Sequence, residues 1–339
     1  MDQNIIYEGR GVTTGYEKGA RRTVIHENLD FTLYSGELTC LLGCNGAGKS
    51  TLLRSLTASQ PVLGGELLLM GKRLEEYTER ERSKNIGIVL TERTQSGGLT
   101  VYELVALGRQ PHTGFFGRLT RNDKELVAEA IEAVGMKKKT NCYVAELSDG
   151  ERQKAMIAKA LVQECPLIIL DEPTAFLDVE SRIEIMTLLR KVATEESKAV
   201  LLSTHDVEQA MTLGDRLWTM TTDRKMYCGV TEDLVLCDVM NRLFEHPTIS
   251  FDQLRGCYQS IRKNEKAVSL HCAEPSLYYW AQNALERNGY DCVHTSDGQL
   301  LPTLSVESPD RIIWTKGKTA INFGSFAELI TYLRTLTAH

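Results

Sequence analysis

Apolar residues along this chain follow two rhythms. Short continuous runs bounded by turn residues, at 38–42 (LTCLL), 86–90 (IGIVL), 167–170 (LIIL) and 199–202 (AVLL), predict strands, those at 86–90 and 167–170 buried. Between them a helical period takes over. Thr51-Leu52-Leu53 opens one helix, and Thr100 caps another over 99–108 with Glu103 three residues on. In 121–135, Asn122 or Asp123 serves as cap, Leu126, Ala130, Ile131 and Val134 form the stripe, and Gly135 is the stop. Residues 5–40 are β-rich with turns at 17–20 and 35–36, and Gly64, Gly65 and Gly71 punctuate a hairpin. Beyond residue 255 the pattern predicts strand (KAVSLHC), helix (SLYYWAQNALERNGY), strand (DCVHTS), strand (RIIWTKG) and helix (SFAELITYLRTL), a small α+β domain with Tyr278, Tyr279 and Trp280 in its core. Expected domains are therefore 1–250 and 255–339.

Composition narrows the class without naming it. A chain of 339 residues has room for two domains, since a domain usually takes about 100–200. With 42% hydrophobic residues, 25% charged residues and a net charge of -6, it is globular and gives no electrostatic reason to expect nucleic acid. No apolar run reaches the roughly 18 residues that span a bilayer, and MDQNIIYEGR holds no signal-peptide core, so a cytosolic protein is expected. The nine cysteines include no C-x-x-C pair and no cluster that completes a zinc site, so they read as structural thiols.

The chemistry concentrates where the apolar runs end. Gly43-Cys44-Asn45-Gly46-Ala47-Gly48-Lys49-Ser50 fits G-x-x-x-x-G-K-[ST] between a strand and a helix, the context in which a Walker A loop cradles a polyphosphate. Glycines 43, 46 and 48 let backbone N–H groups approach the anion. Lys49 would reach the β and γ phosphates, Ser50 would ligate Mg²⁺, and Thr51 would support the α phosphate. Cys44 lies inside the loop, so its oxidation would block nucleotide. Ser148 caps a helix start whose N–H groups form a second anion site. The run LIIL ends in Asp171, suited to Mg²⁺ through water, and Glu172, suited to activating water against a γ phosphate. Asp178 stands just before a helix, and His205 follows the 199–202 run at the same expected sheet edge, where it would sense or stabilise the transferred phosphate.

Assembled in this order, the residues resemble an ABC transporter ATP-binding subunit. Tyr16 matches the adenine-stacking aromatic, Gly43 to Thr51 Walker A, Leu147 to Glu151 the signature, Leu170 to Glu172 Walker B, Ala175 to Asp178 the D-loop, and His205 the switch histidine. The match covers roughly 5–245, and LTVYELVALGRQPHTG is similar to the subgroup that imports ferric siderophores, haem or cobalamin. The resemblance implies an α/β P-loop NTPase with a small antiparallel β subdomain and a helical subdomain, followed here by the α+β extension. It also implies ATP hydrolysis with Mg²⁺ in a head-to-tail homodimer, where Ser148 and the N–H groups around Gly150 reach the partner's ATP. The dimer would dock on an integral-membrane permease fed by a substrate-binding protein, at the inner face of the cell membrane. A soluble ABC ATPase in a non-transport assembly is the other reading. Two positions depart from the family: Thr91, followed by Glu92, stands where the Q-loop glutamine and its metal contact are expected, and Asp149 replaces a glycine in the signature. A carboxylate at 149 would repel phosphate, so it is expected to point away.

Overall fold

The structure, a computed structural model, describes residues 4–337 except 20, 90–97, 115, 176, 245, 262–263, 265 and 294–300. The described chain divides into two compact units, Met1–Gln259 and Ser260–His339. In the first, β1 (Ile5–Lys18) and β2 (Arg21–Tyr34) form a long hairpin, followed by β3 (Leu38–Gly43) and α1 (Lys49–Leu56). Next come β4 (Gly64–Leu69), β5 (Lys72–Arg73), α2 (Glu79–Asn85) and β6 (Ile86–Val89). The helical section holds α3 (Val101–Ala106), α4 (Arg121–Ala133) and α5 (Asp149–Leu161). Strand β7 (Leu167–Asp171), α6 (Val179–Glu195), β8 (Ala199–Ser203), α7 (Val207–Leu213), β9 (Arg216–Met220) and β10 (Met226–Val230) complete the main sheet. Helices α8 (Thr231–Leu236) and α9 (Val239–Leu243) and the hairpin β11 (Ile249–Asp252) and β12 (Cys257–Ser260) end the unit.

Two sheets divide the work. Strands β2-β1-β4-β5 make an antiparallel sheet, whereas β10-β9-β3-β8-β7-β6 make a sheet parallel throughout except for its β10 edge. The parallel strands alternate between two cores. Leu38, Cys40, Leu42, Ile168 and Leu170 face one core with α3 to α6, while Leu41, Leu167, Ile169 and Leu201 face the other with Leu52, Leu56, Phe31 and Trp218. Burial on both faces is why these strands read as unbroken apolar runs. The arrangement turns the C-terminal ends of β3, β7 and β8 toward one edge, the usual ligand edge of such a sheet.

Local details confirm and correct the pattern reading. Thr100 caps α3 in a full capping box with Glu103, as expected. The cap of α4 is Thr120, not Asn122 or Asp123; Asp123 is the third residue of the helix and reaches back to the Thr120 N–H. Its buried stripe is Val127, Ala130, Ile131 and, at the C-cap, Val134, with Leu126 only partly covered. No described helix is long and apolar enough to cross a membrane.

The second unit orders its sheet β14-β13-β15-β16-β17, from β13 (Lys266–His271), β14 (Tyr290–Cys292), β15 (Thr303–Ser308), β16 (Arg311–Lys316) and β17 (Thr319–Phe323), with α10 (Pro275–Arg287) after β13 and α11 (Phe326–Thr337) last. The pattern missed β15 and β17. Neither shows a continuous apolar run: β15 (TLSVES) instead alternates polar with buried apolar residues, the half-buried strand signal that a search for runs passes over, and β17 (TAINF) is short and mostly exposed. The aromatic expectation holds for Tyr278, which packs on the core, and fails for the other two: Trp280 is 62% exposed and edges against the exposed Tyr279. Tyr290, Trp314 and Phe323 fill the core instead, because α10 turns its Ala281, Ala284 and Leu285 face inward.

Candidate active site

The glycine loop between β3 and α1 is shaped by close packing. Gly48 caps α1 at φ +95°, and a Cβ there would lie 2.4 Å from the His26 ring and 2.6 Å from Ile25, so no side chain fits. Gly46 also has positive φ, whereas Gly43 sits where Met220 and Ala47 close in on it. Lys49 is buried, and its Nζ donates to the carbonyls of Gly43 at 2.6 Å and Cys44 at 3.3 Å. Burial lowers the lysine pKa, and the nearby Glu172 and Asp171 carboxylates oppose that shift. Asn45 and Ala47 complete the turn, with the Ala47 N–H donating to the Cys44 carbonyl. The Cys44 thiol donates to the Leu243 carbonyl at 3.0 Å, and burial raises its pKa, which disfavours the reactive thiolate.

Tyr16 and Thr51 meet across the mouth of this loop. Their hydroxyls lie 2.6 Å apart, and the tyrosine is 44% exposed. The ring is thus tethered at its tip while much of its body stays open.

The end of β7 brings acid to the loop. The Ser50 hydroxyl donates to Asp171 Oδ2 at 3.3 Å, and Asp171 Oδ1 accepts from Ser203 at 2.6 Å. Hydroxyl and carboxylate are hard oxygen donors, so Ser50 and Asp171 fit a Mg²⁺ ion. Glu172 follows at φ +47°, a left-handed conformation that side chains resist, and its Oε1 lies 2.5 Å from His205 Nε2. Both line a cavity of about 190 Å³ with Thr174, Ala175, Arg182, Thr204 and Asp206. A carboxylate held against an imidazole beside an anion-binding loop can polarise water and steady developing negative charge.

The remaining expected residues lie on helix starts. Asp178 caps α6 and accepts from the Ser181 N–H at 2.8 Å; that bond, first, holds its carboxyl below the usual range. Ser148 caps α5 in a capping box with Glu151. Gly150 packs so closely on α6 that a Cβ would stand 3.0 Å from the Ser181 hydroxyl. Asp149 turns back to accept from Arg152 at 2.9 Å. Among the described residues, no hydrogen bond joins Ser148 or Gly150 to the Walker A loop. Thr91 and Glu92 lie outside the described residues.

Two residues of the site escaped the motif reading. Ser203 touches both Walker B acids, and Arg182 bridges Leu177 O at 3.1 Å and Asp206 Oδ2 at 3.0 Å. Neither carries a spacing signal. Only the serine's place two residues before His205 could have drawn attention to it.

A lysine-bearing glycine loop, paired acids and a histidine at one edge of a parallel sheet define a P-loop nucleoside triphosphatase. The profile of the ABC transporter family matches residues 26–175, and that of the iron ABC transporter C-terminal domain matches 265–334. Over 247 residues the chain is 36% identical to an uncharacterized ABC transporter ATP-binding protein of Methanocaldococcus jannaschii, covering 73% of this chain and 85% of that one. It is 34% identical over 236 residues to the ferric enterobactin transport ATP-binding protein of Escherichia coli, 70% of this chain and 86% of the relative. The dimeric post-hydrolysis structure of an ATP-binding cassette bound to ADP and Pi superposes with a TM-score of 0.57 at 25% identity, over 67% of this chain and 99% of the other. An inward-facing metal-chelate type ABC transporter shares the fold at a TM-score of 0.63 and 24% identity, over 76% and 96%. The chain belongs to the ABC transporter ATP-binding family: it binds ATP and is an ATPase.

Proposed function

We propose that this protein is the ATP-hydrolysing subunit of an importer for an iron chelate or a related ligand, a ferric siderophore, haem or cobalamin. It works as a homodimer docked on an integral-membrane permease at the inner face of the cell membrane, and a substrate-binding protein delivers the cargo to that permease. The observation that carries the reading is the separation of the two anion sites. Lys49, Asp171, Glu172 and His205 converge on one edge, while the Ser148 helix start makes, among the described residues, no hydrogen bond to the glycine loop of its own chain. A second copy is the natural supplier of that helix start, and the dimeric ADP-bound cassette is a precedent. Relatives named for ferric enterobactin transport and for iron(3+)-hydroxamate and petrobactin import support the cargo class.

In this reading Tyr16 stacks on adenine, the loop N–H groups from Gly43 to Thr51 hold the phosphates, and Lys49 bridges the β and γ groups. Asn45, Gly46 and Gly48 shape that cradle. Mg²⁺, when bound by Ser50 and Asp171, neutralises charge on the β and γ oxygens. Glu172 takes hydrogen-bond hold of the attacking water, and His205 keeps the glutamate aimed and stabilises charge on the γ phosphate. Ser148 and Gly150 contact the γ phosphate in trans, and Asp178 fixes the loop between the two sites. Thr91 or Glu92 takes the Q-loop place.

Purification of the tagged protein from detergent-solubilised native membranes, with mass spectrometry of its companions, tests the assignment. A polytopic permease is the expected companion. Recovery of soluble partners alone would move the protein to a non-transport ABC assembly.

A further inference from the structure

Ser203 ends β8 with no exposed surface, directly opposite Asp171 in the parallel register. Its hydroxyl makes two bonds. It donates to Asp171 Oδ1 at 2.6 Å and accepts the N–H of Glu172 at 2.9 Å. One oxygen thereby grips two consecutive acids, the first by its side chain and the second by its backbone.

We propose that Ser203 is the positioning residue of the hydrolytic site, setting the direction of both Walker B carboxylates. The inference rests on the reading of Glu172 as the water-activating group. At Glu172 the backbone stands at φ +47°, a conformation that persists only where neighbouring groups hold it. The Ser203 hydroxyl is such a hold, because it fixes the N–H of the strained residue itself. From that backbone the glutamate reaches His205 at 2.5 Å; a relaxed φ would swing the side chain away from the histidine and the cavity. At Asp171 the serine satisfies Oδ1, leaving Oδ2 as the oxygen turned to Ser50. A hydroxyl can serve as donor and acceptor at once, which alanine cannot. Ser203 touches neither Lys49 nor any residue of the glycine loop by a hydrogen bond among the described residues, so its effect on nucleotide affinity is indirect.

The test compares the parent with Ser203→Ala and Glu172→Gln in the full-length protein. For Ser203→Ala, kcat for ATP falls roughly 10- to 100-fold, as expected of a displaced catalytic group. Affinity for a fluorescent ATP analogue measured without Mg²⁺ stays within about threefold, since the phosphate cradle is untouched. Amide exchange rises in a peptide covering residues 171–175, where the Glu172 N–H has lost its acceptor. Parent-like kcat and exchange would overturn the proposal. So would a loss of analogue affinity in step with kcat, which marks general damage to the site. If Glu172→Gln instead hydrolysed ATP at the parent rate, the underlying catalytic assignment would fail, whatever the serine variant did.

Discussion

The two units of this chain bury their sheets by similar means and differ in what their strand ends carry. In residues 260–339, Val268, Leu270, Leu304, Ile312 and Trp314 pack a compact apolar core under two helices. In residues 1–259 the cores are larger, and the start of α1 and the ends of β7 and β8 also carry Lys49, Asp171, Glu172 and His205, with Ser50 against Asp171 and Glu172 against His205. Packing makes both units fold. Polar groups held against their own preferences, such as the buried Lys49 and the left-handed Glu172, set the first unit apart as chemical machinery.

The sharpest way to break this contrast is Glu172→Gln. It should lower kcat by about 1,000-fold while ATP still binds, a loss of about 4 kcal/mol in the barrier term. A variant with parent turnover, measured by phosphate release, would remove Glu172 from the mechanism. The matching change in the second unit is Trp314→Ala. Burial of the indole predicts a loss of about 4 kcal/mol confined to that unit's unfolding transition. If calorimetry instead showed the ATPase unit melting earlier by the same amount, the two units would not be separable in stability.

A smaller effect tests whether the helical section depends on ionic contacts. Arg109 and Asp123, with side chains 6% and 8% exposed, pair at 2.8 Å, and Arg109 also reaches Glu164 and the Val162 carbonyl. Arg109→Met should cost about 3 kcal/mol at neutral pH, because a buried carboxylate loses its cation. The Thr120 hydroxyl and N–H first, and then Arg109, lower the Asp123 pKa from 3.8 to about 2. A depressed folded-state value means that this stabilisation is complete above the unfolded value and disappears as pH falls through about 2. The penalty of Arg109→Met in urea titrations should therefore shrink between pH 4 and pH 2. Trp280→Ala should change stability least, by no more than about 0.5 kcal/mol, since the ring is largely exposed. A larger loss would show that the solvent face of α10 is part of the fold's support.

How far the sequence could be read follows from the range of each interaction. Walker A, Walker B and the capped helix at Ser148 were legible because glycine, lysine and acid act through local backbone at fixed spacing. The buried strands were legible because burial on both faces writes an unbroken apolar run. Strands β15 and β17 were not, because a half-buried strand writes alternation, as in β15, and a short, mostly exposed one such as β17 writes little pattern, and neither leaves such a run. The exposure of Trp280 was hidden for another reason: an aromatic on a helix can face either way, and only the docking of Ala281, Ala284 and Leu285 against the sheet chose outward.

By itself, then, the sequence determined the class of chemistry and the order of its parts, since those depend on residues near one another in the chain. Only the tertiary structure decided that Ser203, 31 or 32 positions away, would bond to Glu172 and Asp171. It likewise decided that Glu172 would meet His205 and that Tyr16 would meet Thr51. Such contacts carry no local signature. They exist because parallel strands distant in sequence end side by side at one edge of a sheet.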